Sequence, residues 1–210
     1  MADVALLSRS AFAELATSGR FGADASTAGV TLREVPGLAM ASVIARKGQG
    51  AAVVNAARRA FSAELPATPC RAQAQTHAFT WAGPQQWLVS AGGGDSDALA
   101  RQLADAFSGL ASVAAQGDGR AVLRISGPHA RDVLAKGLPI DLHESVFKPG
   151  DTALSVIAHI GVQVTQIDAA PTYEIILPRS FAGSFWHWLT LSAGEYGYAV
   201  SAPVAAGGRG

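Results

Sequence analysis

Hydrophobic positions along the chain change their period several times, and each change predicts an element. From Thr31 the apolar residues Leu32 and Val35, then the run Leu38-Ala-Met40-Ala-Ser-Val43-Ile44-Ala45, predict strands broken at Pro36-Gly37, a dipeptide that marks a turn. Gly50 to Leu65 spaces Val53, Val54, Ala57, Phe61 and Leu65 as one helix face, with Arg58 and Arg59 outside and Pro66 and Pro69 closing it. Thr76 to Trp81 alternates large and small residues, and Gly83-Pro84 turns the chain into Trp87-Leu88-Val89-Ser90, which reads as a hairpin. After Gly92-Gly93-Gly94, Asp95 or Ser96 caps a helix whose buried face is Leu99, Leu103, Ala106, Phe107 and Leu110. Ser112 to Gln116 and Ala121 to Ile125 flank Gly117-Asp118-Gly119, the signal of a second hairpin. Pro128 then opens a helix with Ala130, Val133, Leu134 and Leu138 inside. Past Pro149-Gly150 the runs 152–158, 161–167 and 173–177 read as a meander, and Phe181 to Leu191 as the last helix.

That order gives two similar strands-helix-strands-helix halves. Hairpins between helices, in place of single strands, predict an α+β fold with antiparallel sheets and not a parallel doubly wound one. The expected organisation is an N-terminal arm at 1–30, carrying Leu6, Leu7, Phe12 and Leu15, and a domain at 31–200 in two subdomains, about 31–115 and 116–200. A flexible Gly and Ala tail follows at 201–210.

Composition narrows the function classes. Sixteen Lys and Arg balance sixteen Asp and Glu, so no basic excess exists to neutralise a phosphate backbone, and nucleic acid is not an expected partner. With 49% hydrophobic and only 15% charged residues, the chain has ample core and a surface that repels other proteins poorly. A single cysteine, Cys70, makes neither an internal disulfide nor a thiolate metal cluster, which fits a reducing compartment. The residues from Met1 carry Asp3 and no apolar stretch long enough for a signal-peptide core, and no run approaches the ~20 residues that span a bilayer. The expectation is a cytoplasmic chain with no membrane partner.

Candidate chemistry is thin. Gly48-Gln49-Gly50 sits where a dinucleotide fingerprint would, but Val53 takes the place of its third glycine, so an ordinary strand-to-helix turn is the better reading. No histidine pair has helical metal spacing; His187 is read as a surface residue that could face a partner, and Cys70 has no identifiable base. Carboxylates close in sequence, such as Asp95 and Asp97, fall at helix starts and turns, where Asp caps. Catalytic, cofactor-binding and metal-ligating residues are therefore all assigned as none. The tryptophans carry more weight. Trp186 and Trp188 lie two apart, so on a helix they point about 200° from each other, and at least one should cover something beyond the core. Phe12, Phe21, Trp186 and Trp188 are the candidate contact residues.

Two segments carry a resemblance: Trp81-Ala-Gly83-Pro84-Gln-Gln-Trp87-Leu88-Val89, and Arg120 to Leu134 with Gly127-Pro128 at its centre. Together they resemble the folate-binding-type domain of the glycine-cleavage T-protein group. Within that group, the length, the Ala-rich N-terminus and the Trp186/Trp188 helix look most like the gamma-subunit family of heterotetrameric sarcosine oxidases. The resemblance implies an accessory, non-catalytic subunit of a bacterial flavoenzyme that oxidises sarcosine with O2 to glycine and hydrogen peroxide and passes the one-carbon unit to tetrahydrofolate. It implies alpha, beta and delta subunits as partners, with FAD, FMN, NAD, tetrahydrofolate and zinc carried by them. In this reading Trp81, Gly83, Pro84, Trp87, Gly127 and Pro128 shape the fold. A free-standing folate-binding or aminomethyl-transferring protein is the alternative.

Overall fold

The computed structural model describes residues 9–23 and 27–202; Leu6, Leu7 and the tail from 203 to 210 lie outside the described residues. Among the described residues twelve strands form two sheets. Strands β3 (Leu38–Ala45), β4 (Arg71–Ala74), β5 (His77–Gly83), β6 (Gln86–Gly92) and β7 (Ala111–Ala115) make a five-stranded sheet in the order β4-β5-β6-β3-β7. The seven-stranded sheet has the order β1-β12-β2-β8-β11-β10-β9. It is built from β1 (Gly19–Phe21), β2 (Val30–Glu34), β8 (Arg120–Ser126), β9 (Thr152–Ile157), β10 (Ile160–Asp168), β11 (Thr172–Pro178) and β12 (Tyr198–Val200). All pairings are antiparallel except β12 with β2. The expected α+β class with antiparallel sheets is what the chain adopts.

Two connections differ from expectation, and the difference organises the molecule. Gly117 to Gly119 does not close a hairpin: β7 pairs with β3 in the first sheet, whereas β8 pairs with β2 and β11 in the second. Likewise β2 and β3, separated by Pro36-Gly37, enter different sheets. With the halves taken as 30–106 and 111–193, each gives its leading strand to the other half's sheet: β2 lies beside β8 and β7 beside β3, β7 at the edge of its sheet and β2 flanked on its other side by β12. Turn residues look the same whether the chain reverses within a sheet or steps between sheets, so sequence could not distinguish them. Both crossovers are fastened at one place. The Gln116 amide donates to the Met40 carbonyl (2.7 Å), and the Met40 amide donates to Ser96 Oγ (3.0 Å).

Helices cover the outer face of each sheet. α1 (Gly50–Phe61) buries Val53, Ala56, Ala57 and Phe61, and stops earlier than Leu65 because Ser62 turns left-handed at φ 51°. α2 (Ser96–Ala106) is capped by Asp95, whose Oδ1 accepts from the Ala98 amide at 2.8 Å, and buries Leu99 and Leu103. With Phe79, Trp87, Val89 and Phe107 these form the first core. α3 (Ala130–Ala135) buries Ala130, Val133 and Leu134. It starts two residues later than expected, because Pro128 occupies a turn ahead of the helix. α4 (Ala182–Ala193) buries Phe185, Leu189 and Ala193, one residue per turn, over Leu123, Ile125, Ile175 and Leu177. Gly127, at φ 115°, lets β8 turn into α3 against β2, where a Cβ would stand 2.7 Å from the Gly29 carbonyl oxygen.

The inner faces of the two sheets meet over a small apolar cluster, Val35, Met40, Leu88, Val122 and Ile176. Beside it runs a polar row. Arg33, Arg124, Glu174, Thr165 and Thr152 are register partners across β2, β8, β11, β10 and β9, so they share one face.

Candidate functional site: the aromatic helix face and the seam between sheets

Of the four aromatic residues singled out from sequence, α4 carries Trp186 and Trp188, while Phe12 lies on the arm and Phe21 in β1, and the structure shows what each touches. Phe12 is fully buried, its ring 5.7 Å from that of Trp186, so it belongs to this chain's own core. This corrects its assignment as a contact residue for another chain: the arm turns back at Phe12–Ala16 and fills the space beside α4. Trp186 and Trp188 are each half-buried on the same core, one against Phe12 and the other against Phe185 (5.8 Å) and Gly137. The expectation that one of them must leave this core is therefore corrected. Their 200° separation is absorbed because the arm covers one flank of α4 and the end of α3 the other. Phe21 stacks on Tyr198 at 5.4 Å and keeps 38% of its surface exposed.

What α4 does present outward is neutral. Gly183, Ser184, His187 and Leu191 are exposed, Leu191 at 68%, and the helix has no charged residue. Phe181, at its start, and Leu15, on the arm, are exposed at 48% and 37%. Exposed Leu191, Phe181 and Leu15, with no Asp, Glu, Lys or Arg on the helix itself, are the composition that protein contacts favour.

Sequence reasoning missed the second feature, Glu174. Its carboxylate is almost entirely buried and takes a hydrogen-bonded ion pair at each oxygen: Arg71 Nη1 donates to Oε1 at 2.7 Å, and Arg124 Nη2 and Nε donate to Oε2 at 2.9 and 3.1 Å. Arg71 Nη2 also reaches Ser90 Oγ at 3.2 Å. Burial by itself would raise the Glu174 pKa, but the two guanidiniums outweigh it and hold the carboxyl below the ordinary carboxylate range. Arg71 comes from the five-stranded sheet and the other two from the seven-stranded one, so the triad ties the sheets together. The signal was in the sequence, as a Glu inside Tyr173-Glu-Ile-Ile-Leu and an Arg inside Val122-Leu-Arg-Ile. A second tie is Gln163 Nε2, which donates to the Trp81 carbonyl at 2.8 Å.

The remaining motif residues hold geometry. Trp87 is buried and its Nε1 donates to the Pro66 carbonyl at 2.8 Å. Trp81, Gly83 and Pro84 form the β5–β6 turn, with a register shift between Trp81 and Gly83 and Gln85 left-handed at φ 57°. A cleft of about 850 Å³ lies where the two crossovers meet, walled by Pro36, Gly37, Gly94, Asp95, Gly117 and Arg120 among others. The turn at Gly48 to Gly50 does not suit a dinucleotide: a Cβ on Gly50 would stand 2.7 Å from Gln85 Oε1, so that side chain lies against the position the pyrophosphate would approach. Cys70 is half-buried and His187 exposed. Among the described residues no group of three or more His, Cys, Asp or Glu is placed to hold a metal, and no helix is long and apolar enough to cross a membrane.

Two exchanged halves with a helix layer on each outer face define the class: the chain has the fold of the glycine-cleavage aminomethyltransferases. Aminomethyltransferase T from Bartonella henselae superposes with a TM-score of 0.56 over 80% of this chain and 50% of that one, at 17% identity, which is a likeness of fold. The family is narrower. Residues 46–195 match the model of the "Sarcosine oxidase, gamma subunit family", and the chain belongs to that family. It is 32% identical over 87% of its length to the sarcosine oxidase subunit gamma of Corynebacterium sp. (strain P-1), and 31% identical over 83% to that of Arthrobacter sp.; these alignments cover 88% and 85% of the relatives. A chain of the heterotetrameric sarcosine oxidase from Corynebacterium sp. U-96, solved with pyrrole 2-carboxylate, superposes with a TM-score of 0.77. That match covers 95% of this chain and all of that one, at 29% identity.

Proposed function

We propose that this chain is the accessory gamma subunit of a heterotetrameric sarcosine oxidase, with a role in assembly and stability and no chemistry of its own. The observation that carries the reading is the end-to-end match, at 29% identity, to one chain of a solved enzyme of that name. In this reading alpha, beta and delta subunits are the partners, and FAD, FMN, NAD, tetrahydrofolate and zinc reside in them. The complex oxidises sarcosine with O2 in the cytoplasm, giving glycine, hydrogen peroxide and 5,10-methylenetetrahydrofolate. The uncharged outer face of α4, with Trp186 and Trp188 at its flanks and Phe21 near the paired chain ends, is the surface that meets the other subunits. A helix that exposes Leu191 and no charge loses little on leaving water.

Affinity purification of the tagged chain from its native host tests the reading. The expected result is a yellow complex of four different subunits that makes peroxide when given sarcosine. A colourless chain recovered alone, and binding folate in a titration, overturns it in favour of a free-standing folate-binding protein.

A further inference from the structure

The triad around Glu174 has a third arginine beside it that the ion pairs leave out. Arg33 on β2 is the register partner of Arg124 on β8, so the two guanidinium-bearing side chains leave the same face from directly opposite positions. Like charges so placed repel, and a sheet gains nothing from the arrangement unless something negative lies between them. Glu174 does not serve both: its two oxygens are taken by Arg71 and Arg124, and Arg33 makes no ion pair or hydrogen bond among the described residues. Glu34, its neighbour in sequence, points to the opposite face of the strand, where it accepts from Ser10 and the Phe12 amide. Three guanidiniums therefore share one carboxylate, a surplus of two positive charges at the β2 end of the seam.

Two buried donors remain open in that cluster, Nε of Arg33 and Nε of Arg71. A buried N–H without a partner costs free energy comparable to a lost hydrogen bond, and two in one charged cluster mark a place where an acceptor fits. Those two nitrogens are themselves buried, but Arg33 and Arg124 each keep part of the side chain in solvent, so the cluster is open at its β2–β8 side.

We propose that Arg33 and Arg124, backed by Arg71, form a binding site for a small dianionic oxyanion, a phosphate or a dicarboxylate. Two negative charges match the surplus, and the Arg33 guanidinium together with Arg124 Nη1, the nitrogen that Glu174 does not take, offers N–H donors to the planar or tetrahedral oxygens of such a ligand. The site is separate from the α4 surface and does not depend on the assembly reading.

Thermal unfolding of the full chain tests it. About 10 mM sodium phosphate or malonate is compared with sodium chloride of equal ionic strength, and the expected gain in melting temperature in the dianions is about 3 °C. Arg33→Gln should abolish that gain while melting at or above the wild type in chloride, because it removes a repelled, unpaired charge. Arg59→Gln, an exposed arginine on α1, should keep the whole gain. A wild-type chain that responds no more to phosphate and malonate than to chloride overturns the proposal. So does a gain that survives in Arg33→Gln, or one lost equally in Arg59→Gln, since each is a general effect of salt or charge.

Discussion

α1 and α2 cover the five-stranded sheet with charged outer faces, Arg58 and Arg59 on one helix and Asp97, Arg101 and Asp105 on the other, all exposed. α4 covers the seven-stranded sheet with no charge in twelve residues and Leu191 standing in solvent. The two sheets share strand order over five strands and their cores are built alike, so the fold does not require this difference. A solvated helix layer needs charges to stay solvated, whereas one that is to be covered needs their absence. The contrast is the ground for placing the contact surface of the proposed assembly on the second half and not on the first. The arm reinforces it: Phe12 and Trp186 complete the α4 side from within the chain, which leaves α1 and α2 with no such covering.

The comparison holds only while the halves stay locked together, and the largest expected effect comes from the lock. Glu174→Ala leaves Arg71 and Arg124 facing each other with no anion between them, and should cost about 4 kcal/mol in urea unfolding. The same group sets an acid limit. Its folded-state pKa lies below its unfolded value, so its contribution is fully present above the ordinary carboxylate range and is lost as pH falls through the folded-state value. Wild-type urea midpoints should therefore hold from neutral pH down to that range and then drop, while Glu174→Gln should give a lower and flatter profile. A Gln variant with the wild-type slope would show that other carboxylates set the acid limit. Next in size is Phe12→Ala, about 3 kcal/mol, from the cavity left beside Trp186. Calorimetry of the isolated chain measures it; a loss under 1 kcal/mol would mean that the arm is not part of this core.

These two residues show where sequence runs out. The helices, the β9–β11 meander and the β5–β6 hairpin were legible because each buries one face with a local period. β1, β12 and β4 were not: they are only three or four residues long, β4 follows closely on Pro69, and β1 and β12 owe their order to distant segments, as when Tyr198–Val200 joins Val30–Leu32. The strand exchange was invisible for the same reason, since Pro36-Gly37 and Gly117-Asp-Gly119 are good turns in either topology. Periodicity put Trp186 and Trp188 on different flanks of α4 and led to the expectation that one must leave this core, because it could not tell that Phe12 and Gly137 would pack against them. Glu174 was readable only as an anomaly, a charge in a buried strand whose partners lie 50 and 103 residues away.

Smaller effects sharpen the contrast between helix layers. Asp95→Ala removes the side-chain acceptor at the start of α2 and should cost about 1 kcal/mol, with no change in what the chain binds, because α2 already faces water. Leu191→Glu should cost the least, within about 0.5 kcal/mol in the isolated chain, since the side chain is 68% exposed and a glutamate there remains in solvent. Its consequence appears only in the assembly. A charge placed on the neutral α4 face, near the helix C-terminus, must be buried unpaired when another subunit covers it, so recovery of the chain with its partners should fall at least tenfold while its own melting curve is unmoved. Asp105→Leu, the converse change on exposed α2, should leave that recovery untouched. If Leu191→Glu copurifies at wild-type levels and Asp105→Leu does not, the contact surface lies over the five-stranded sheet and the meaning given to the two helix layers is reversed.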